Sequence, residues 1–180
     1  MPEFTRKINI EMDWLDPGQF EIRGSLDDNV HSLAARLVVS FPGFVIQNAI
    51  AEITRMPYPG YCTGATGAIQ RLVGERIGRG FKRKVGEALG GAESCNHLHT
   101  LVNDLASCAF QMNYVAAKTR EASKEELRRV LDDHSRRREL VLKWMPQLRN
   151  SCFVFSERND PLFQIEPSAG DSTDPGASTD

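Results

Sequence analysis

An α+β fold, with an N-terminal antiparallel β-meander followed by helices packed on one sheet face, is predicted from three features of the sequence. Apolar and polar residues alternate with period two through the first third of the chain. Turn dipeptides interrupt that alternation at regular intervals. Beyond a proline-rich loop the apolar period lengthens to that of helices, and strands followed by helices are the pattern of an α+β domain.

Ile8, Ile10, Met12 and Trp14 alternate with Lys7, Asn9, Glu11 and Asp13, which predicts a strand with one buried and one wet face. Asp16-Pro17-Gly18 supplies turn chemistry, and Phe20, Ile22 and Leu26 resume the alternation with a break at Gly24. Asp27-Asp28-Asn29 closes that hairpin. Leu33 to Phe41 predicts a third strand, Pro42-Gly43 a turn, and Phe44 to Ile53 a fourth strand. The loop Met56-Pro57-Tyr58-Pro59-Gly60-Tyr61 is irregular, because two prolines remove donors and restrict the residues before them.

Ala65, Ala68, Ile69, Leu72 and Val73 share one face of a short helix ended by Gly74. Phe81, Val85 and Leu89 mark a second, stopped by Gly90-Gly91. Leu98, Leu101, Val102, Leu105, Cys108, Ala109, Met112 and Val115 form one stripe of a longer third helix beginning near Ser94, with Cys108 as a core residue. Ser123-Lys124-Glu125-Glu126 is a capping box for a further helix. Its charged middle, Asp132 to Glu139, faces water, and Pro146 ends it. Cys152 to Phe155 reads as a short strand. Residues 1–165 are expected to form a single domain, and 166–180, rich in Gly, Ser, Thr, Asp and Pro, a disordered acidic tail.

The chain of 180 residues is 41% hydrophobic and 26% charged, enough for one sizeable core. A net charge of −2 and a pI near 6.1 supply no positive field, so neither nucleic acid nor an anionic membrane is an expected partner. No apolar stretch nears the roughly 20 residues that span a bilayer, and Met1 to Asp13 lacks the apolar core of a signal peptide. A cytoplasmic location is expected. There, four cysteines scattered at 62, 95, 108 and 152 are thiols or metal ligands rather than disulfides. Gly74, Gly78 and Gly80 have the wrong spacing for a phosphate-binding loop and read as a connection between helices.

Cys95 falls at a helix start, where free N–H groups and the helix dipole favour a thiolate. His97 and His99 follow closely, and only one of them converges with Cys95 on a given centre. Cys62 sits at another helix start, behind the restricted proline loop. Two thiols and an imidazole make a soft-metal set for zinc or iron, with Cys152 or His99 as a fourth ligand. His31 and His134, among polar neighbours, read as solvated. Arg55 reads as a surface arginine or as a partner for a substrate carboxylate or a thiolate.

The order of motifs resembles a bacterial family, domain of unknown function twenty-eight eighty-nine. The likeness lies in Leu26-Asp27-Asp28, in the proline loop running into Cys62, and above all in the box Ser94-Cys95-Asn96-His97-Leu98. Pro146-Gln147-Leu148 and Ser151-Cys152-Phe153 resemble the family's ending. Ser94 stands for the usual glycine and Asn96 for threonine. More distantly, the chain is similar to iron–sulfur scaffold proteins of the IscU and NifU type, with Cys62 and Cys95 matching two of their three cluster cysteines. The third has no counterpart in Ser40-Phe41-Pro42-Gly43-Phe44.

These readings imply a metal-binding accessory protein with a Cys/His site at Cys62, Cys95, His97 and Cys152. A protein partner or a small-molecule substrate would complete the role, with the charged helix from Lys124 to Lys143 as a docking or a solvated face. The competing reading is a small enzyme with Cys95 as nucleophile and His97 or His99 as base.

Overall fold

The computed structural model describes residues 2–119 and 133–159. The chain divides into two compact units, Met1–Ala117 and Lys118–Asp180.

The first unit is built on a four-stranded antiparallel sheet in sequence order: β1 (Arg6–Asp16), β2 (Gln19–Asp28), β3 (Ser32–Ser40) and β4 (Ile46–Arg55). The period-two pattern places Phe20, Ile22, Leu26, Leu33, Leu37 and Val39 in the core. Register follows from that pattern, since a one-residue slip would turn every apolar side chain to solvent: Ile8 faces Leu26, which faces Leu33, which faces Ile53. The turn between β1 and β2 is set by Asp16, whose Oδ1 accepts from the Gly18 amide at 2.7 Å.

Gly24 does not break β2. It pairs with Ile10 and Ala35 inside a continuous strand. Its missing side chain serves the layer above: a Cβ there would fall inside the Leu105 side chain and lie 3.1 Å from Leu101 Cδ1.

The helices cover one face of this sheet. Cys62–Leu72 is a 3₁₀ segment rather than the α-helix expected, and it packs along β4 with Ala68, Ile69 and Leu72 buried as the pattern required. Gly64 and Gly67, with two threonines between Cys62 and Gly67, weaken the α-helical alternative. Helix α1 (Phe81–Leu89) buries Phe81, Val85, Ala88 and Leu89. Helix α2 (Asn96–Ala109) lies over β2 and touches β1 and β3, burying Leu98, Leu101, Val102, Leu105, Ala106 and Ala109.

The long third helix of the sequence reading is interrupted at Phe110, whose ring tilts against Phe44 at 4.9 Å. Helix α3 (Gln111–Thr119) resumes beyond it with Met112 and Ala116 buried, while Val115 is exposed. Cys108 is half-buried, not core. At about 100° per residue it falls roughly 20° beyond the edge of the arc that Leu101 begins.

In the second unit, α4 (His134–Trp144) is capped by Asp133, whose side chain accepts from the Arg136 amide at 3.0 Å. Arg136 and Glu139 of its charged middle are exposed, whereas Arg137 and Arg138 are half-buried. Pro146 opens a 3₁₀ turn, Pro146–Leu148. Residues 152–155 form turns, not the strand expected. Asn150, at a positive φ of 58°, donates to the Phe155 carbonyl and closes a loop with Cys152 and Phe153 exposed. The capping box at 123–126 and the tail at 166–180 lie outside the described residues. Among the described residues no helix is long and apolar enough to cross a membrane.

Candidate functional site

The site forms where the last residue of β2 meets the start of α2. Asp28 follows the alternation of Ile22 and Leu26 inward, so its carboxylate is fully buried. A buried carboxylate must be saturated with donors, and this one is. Oδ1 accepts from the amides of Val30 (2.9 Å) and His31 (2.7 Å) and lies 3.2 Å from His31 Nδ1. Oδ2 accepts from Arg6 Nε at 2.9 Å and Nη2 at 2.7 Å. Burial opposes its ionisation. The Val30 and His31 amides, Arg6 and the His31 ring outweigh that and hold the carboxyl well below the usual range.

The turn after Asp28 is fastened from outside by Arg55. Its guanidinium donates to Asp27 Oδ1 at 2.6 Å, to the Asp28 carbonyl, and to the His31 carbonyl at 3.3 Å. Arg55 is exposed, as the surface reading has it, and the carboxylate it holds is the protein's own Asp27 rather than a substrate's. Those contacts position a loop rather than a thiolate.

The second half of the site comes from the N-terminus of α2. Cys95 is the N-cap, with extended backbone and no side-chain cap hydrogen bond. Its Sγ lies 3.7 Å from His97 Nδ1. The His97 ring stacks on His31, with centroids 3.7 Å apart and planes 29° apart. Burial, and then the neighbouring His31 and Arg6, lower the pKa of His97, with Asp28 opposing them, so the ring is neutral at pH 7 and keeps a lone pair. Directly before Cys95, the Ser94 hydroxyl is buried with no hydrogen-bond partner among the described residues.

Asp28, His31 and His97 each present a ligand atom, and these three atoms lie within 4.8 Å of one another. Cys95 touches this group through His97. Because His31 turns Nδ1 toward the Asp28 carboxylate, its Nε2 is left with the free lone pair. A carboxylate that holds a histidine in one tautomer in this way is a regular second layer around metal-binding imidazoles.

Of the residues expected from sequence, Cys95 and His97 are brought together. Cys62 is not a member of the group: it opens the segment that runs along β4, whereas Cys95 opens the helix that lies over β2. The group itself is formed by one helix start, with Cys95 and His97, and one strand end, with Asp28 and His31. His99 turns to its own helix, with Nε2 3.3 Å from Asn103 Nδ2. Cys152 belongs to the second unit, where it is exposed.

Sequence reasoning missed Asp28 and His31. His31 is not solvated but four-fifths buried. The available signal was an inward-facing aspartate on an otherwise apolar strand face, with a histidine one turn beyond it.

No curated protein and no solved structure matches the chain. One family model does, over residues 4–111, which span the whole sheet, both halves of the site and α2. On that match the chain belongs to the family described as protein of unknown function, DUF2889.

Proposed function

We propose that the protein binds a single first-row divalent metal ion, zinc or ferrous iron, through Cys95 and His97, with His31, held by Asp28, stacked on the His97 ring and fixing its orientation. The observation that carries the proposal is the 3.7 Å between Cys95 Sγ and His97 Nδ1. With metal–sulfur and metal–nitrogen bonds of about 2.3 and 2.05 Å, two ligands of a tetrahedral ion stand roughly 3.6 Å apart. The lowered pKa of His97, which favours its neutral ring, suits it to ligation.

One sulfur and one imidazole suit a mononuclear ion rather than the three-thiolate set of a cluster scaffold. The positions these two ligands leave open would take a small-molecule substrate or a side chain of a partner protein.

Metal analysis of protein purified without an affinity tag tests this. Near-stoichiometric metal is expected, lost in Cys95→Ala and His97→Ala, weakened in His31→Ala and retained in Cys62→Ala. With cobalt as the probe, a thiolate-to-metal charge-transfer band should vanish in Cys95→Ala alone among the cysteine variants. Metal-free protein that takes up no cobalt sinks the proposal.

A second reading draws on the same contact. A neutral His97 beside the Cys95 thiol is also the arrangement of a nucleophile and its base. Alkylation separates the two readings. A metal-bound Cys95 reacts only after chelation, and a nucleophilic one reacts rapidly at neutral pH with or without chelator.

A further inference from the structure

The two edges of the sheet are finished differently. Beside β4, the chain following the 3₁₀ segment returns along the edge: the Ile46 amide donates to the Glu75 carbonyl, the Gly74 amide to the Ile46 carbonyl, and Val45 bridges to Arg76. Gln70 adds a bond to the Ala49 carbonyl. At the opposite edge, β1 runs eleven residues, and among the described residues no strand pairs with its outer side.

An exposed edge of that length is ordinarily blunted by proline, bulges or lysines. Between Arg6 and Trp14 there is no proline, no irregularity of register and one lysine. The core-side residues of β1 are also incompletely covered. Ile10, Met12 and Trp14 are half-buried, Ile8 is 37% exposed and, just before the strand, Phe4 is 55% exposed.

The geometry points to a second copy of this chain as the occupant: we propose that β1 pairs antiparallel with β1 of a second protomer across a two-fold axis at Asn9, joining two sheets into one of eight strands. In that register Lys7 stands opposite Glu11 twice on the outer face. On the core side Ile8 faces Ile10, Phe4 faces Trp14 and Arg6 faces Met12. Opposite charges thus meet on the outer face, and Ile8–Ile10 and Phe4–Trp14 meet apolar on apolar on the core side, with the Arg6 guanidinium turned to Asp28. Lys7 has no ion-pair partner among the described residues, and Glu11 holds Arg23 only at 3.4 Å, so both charges are available.

Neighbouring registers match less well. An axis at Glu11 opposes that carboxylate to itself and Asn9 to Asp13. An axis at Ile10 sets Lys7 against Asp13, which Arg23 already holds, and Phe4 against Asp16.

Sedimentation of the full chain across the micromolar range tests the proposal. A reversible monomer–dimer equilibrium is expected. Lys7→Glu places like charges at two symmetric positions and should weaken it at least about tenfold. Adding Glu11→Lys to Lys7→Glu should restore it, while adding Asp13→Lys should not. All three positions are exposed, and circular dichroism will show that the variants fold. A monomer at every concentration, a dimer indifferent to Lys7→Glu, or rescue by Asp13→Lys in place of Glu11→Lys overturns the proposal.

Discussion

Gly24→Ala would test the packing on which the site depends. The added methyl would meet Leu105, which is fully buried and cannot swing to solvent, and would crowd Leu101 Cδ1 at 3.1 Å. Inserting a methyl into such a contact costs about 1–3 kcal/mol, and replacing glycine in a strand interior returns about 0.5–1 kcal/mol. The net loss is about 1–2 kcal/mol, or a fall in Tm of about 4–8 °C for a unit of this size. The strain has one outlet, a displacement of α2 away from β2. Since α2 carries Cys95 and His97 while β2 carries Asp28, metal affinity should fall together with stability. Thermal unfolding followed by circular dichroism gives the first quantity and cobalt titration the second. Leu105→Ala in the Gly24→Ala background gives a control: the double variant should lose less than the sum of its parts, because each change relieves the other. A Tm within a degree of the parent, or above it, would refute the close-approach argument.

Three further outcomes are expected. The folded-state pKa of Asp28 lies below its unfolded value, so the stability it contributes is complete above roughly pH 4 and drains away as the pH falls from there; Asp28→Asn should flatten the acid limb of Tm against pH, and an unchanged limb would show that its hydrogen bonds do not bear on folding. Arg55→Ala frees the turn between Asp28 and His31 and should lower stability by about 1 kcal/mol while weakening metal binding more than that loss implies; equal effects on both would remove its positioning role. Asp133→Ala uncaps α4, costs that helix about 1 kcal/mol, and should raise amide exchange at Arg136 while leaving amides of β2 unchanged.

The strands were legible because one-sided burial writes itself as period-two alternation, and the meander follows from short turns between such segments. Gly24 was misread as a break because sequence shows what a residue lacks, not which neighbour uses the vacant space. The 3₁₀ segment and the interruption at Phe110 were hidden for a related reason. Apolar spacing reports which side is buried, as it did for Ala68, Ile69 and Leu72, but α and 3₁₀ turns bury nearly the same residues over so short a span. The exposed turns at Cys152 and Phe153 show the converse: aromatic and β-branched residues suggest a strand, but a strand needs a partner.

Of the site, Cys95 and His97 could be read directly, because a helix start two residues long is a local arrangement. Asp28 and His31 could not. Nothing in the spacing between a strand end and a distant helix start says that they meet. Sequence alone determined the fold class, the inward face of the first two strands and the helix start that offers a thiol. Only the tertiary structure decided that this helix start meets Asp28 and His31 at the end of β2, because which layers touch is settled by packing between faces, and packing takes no account of distance along the chain.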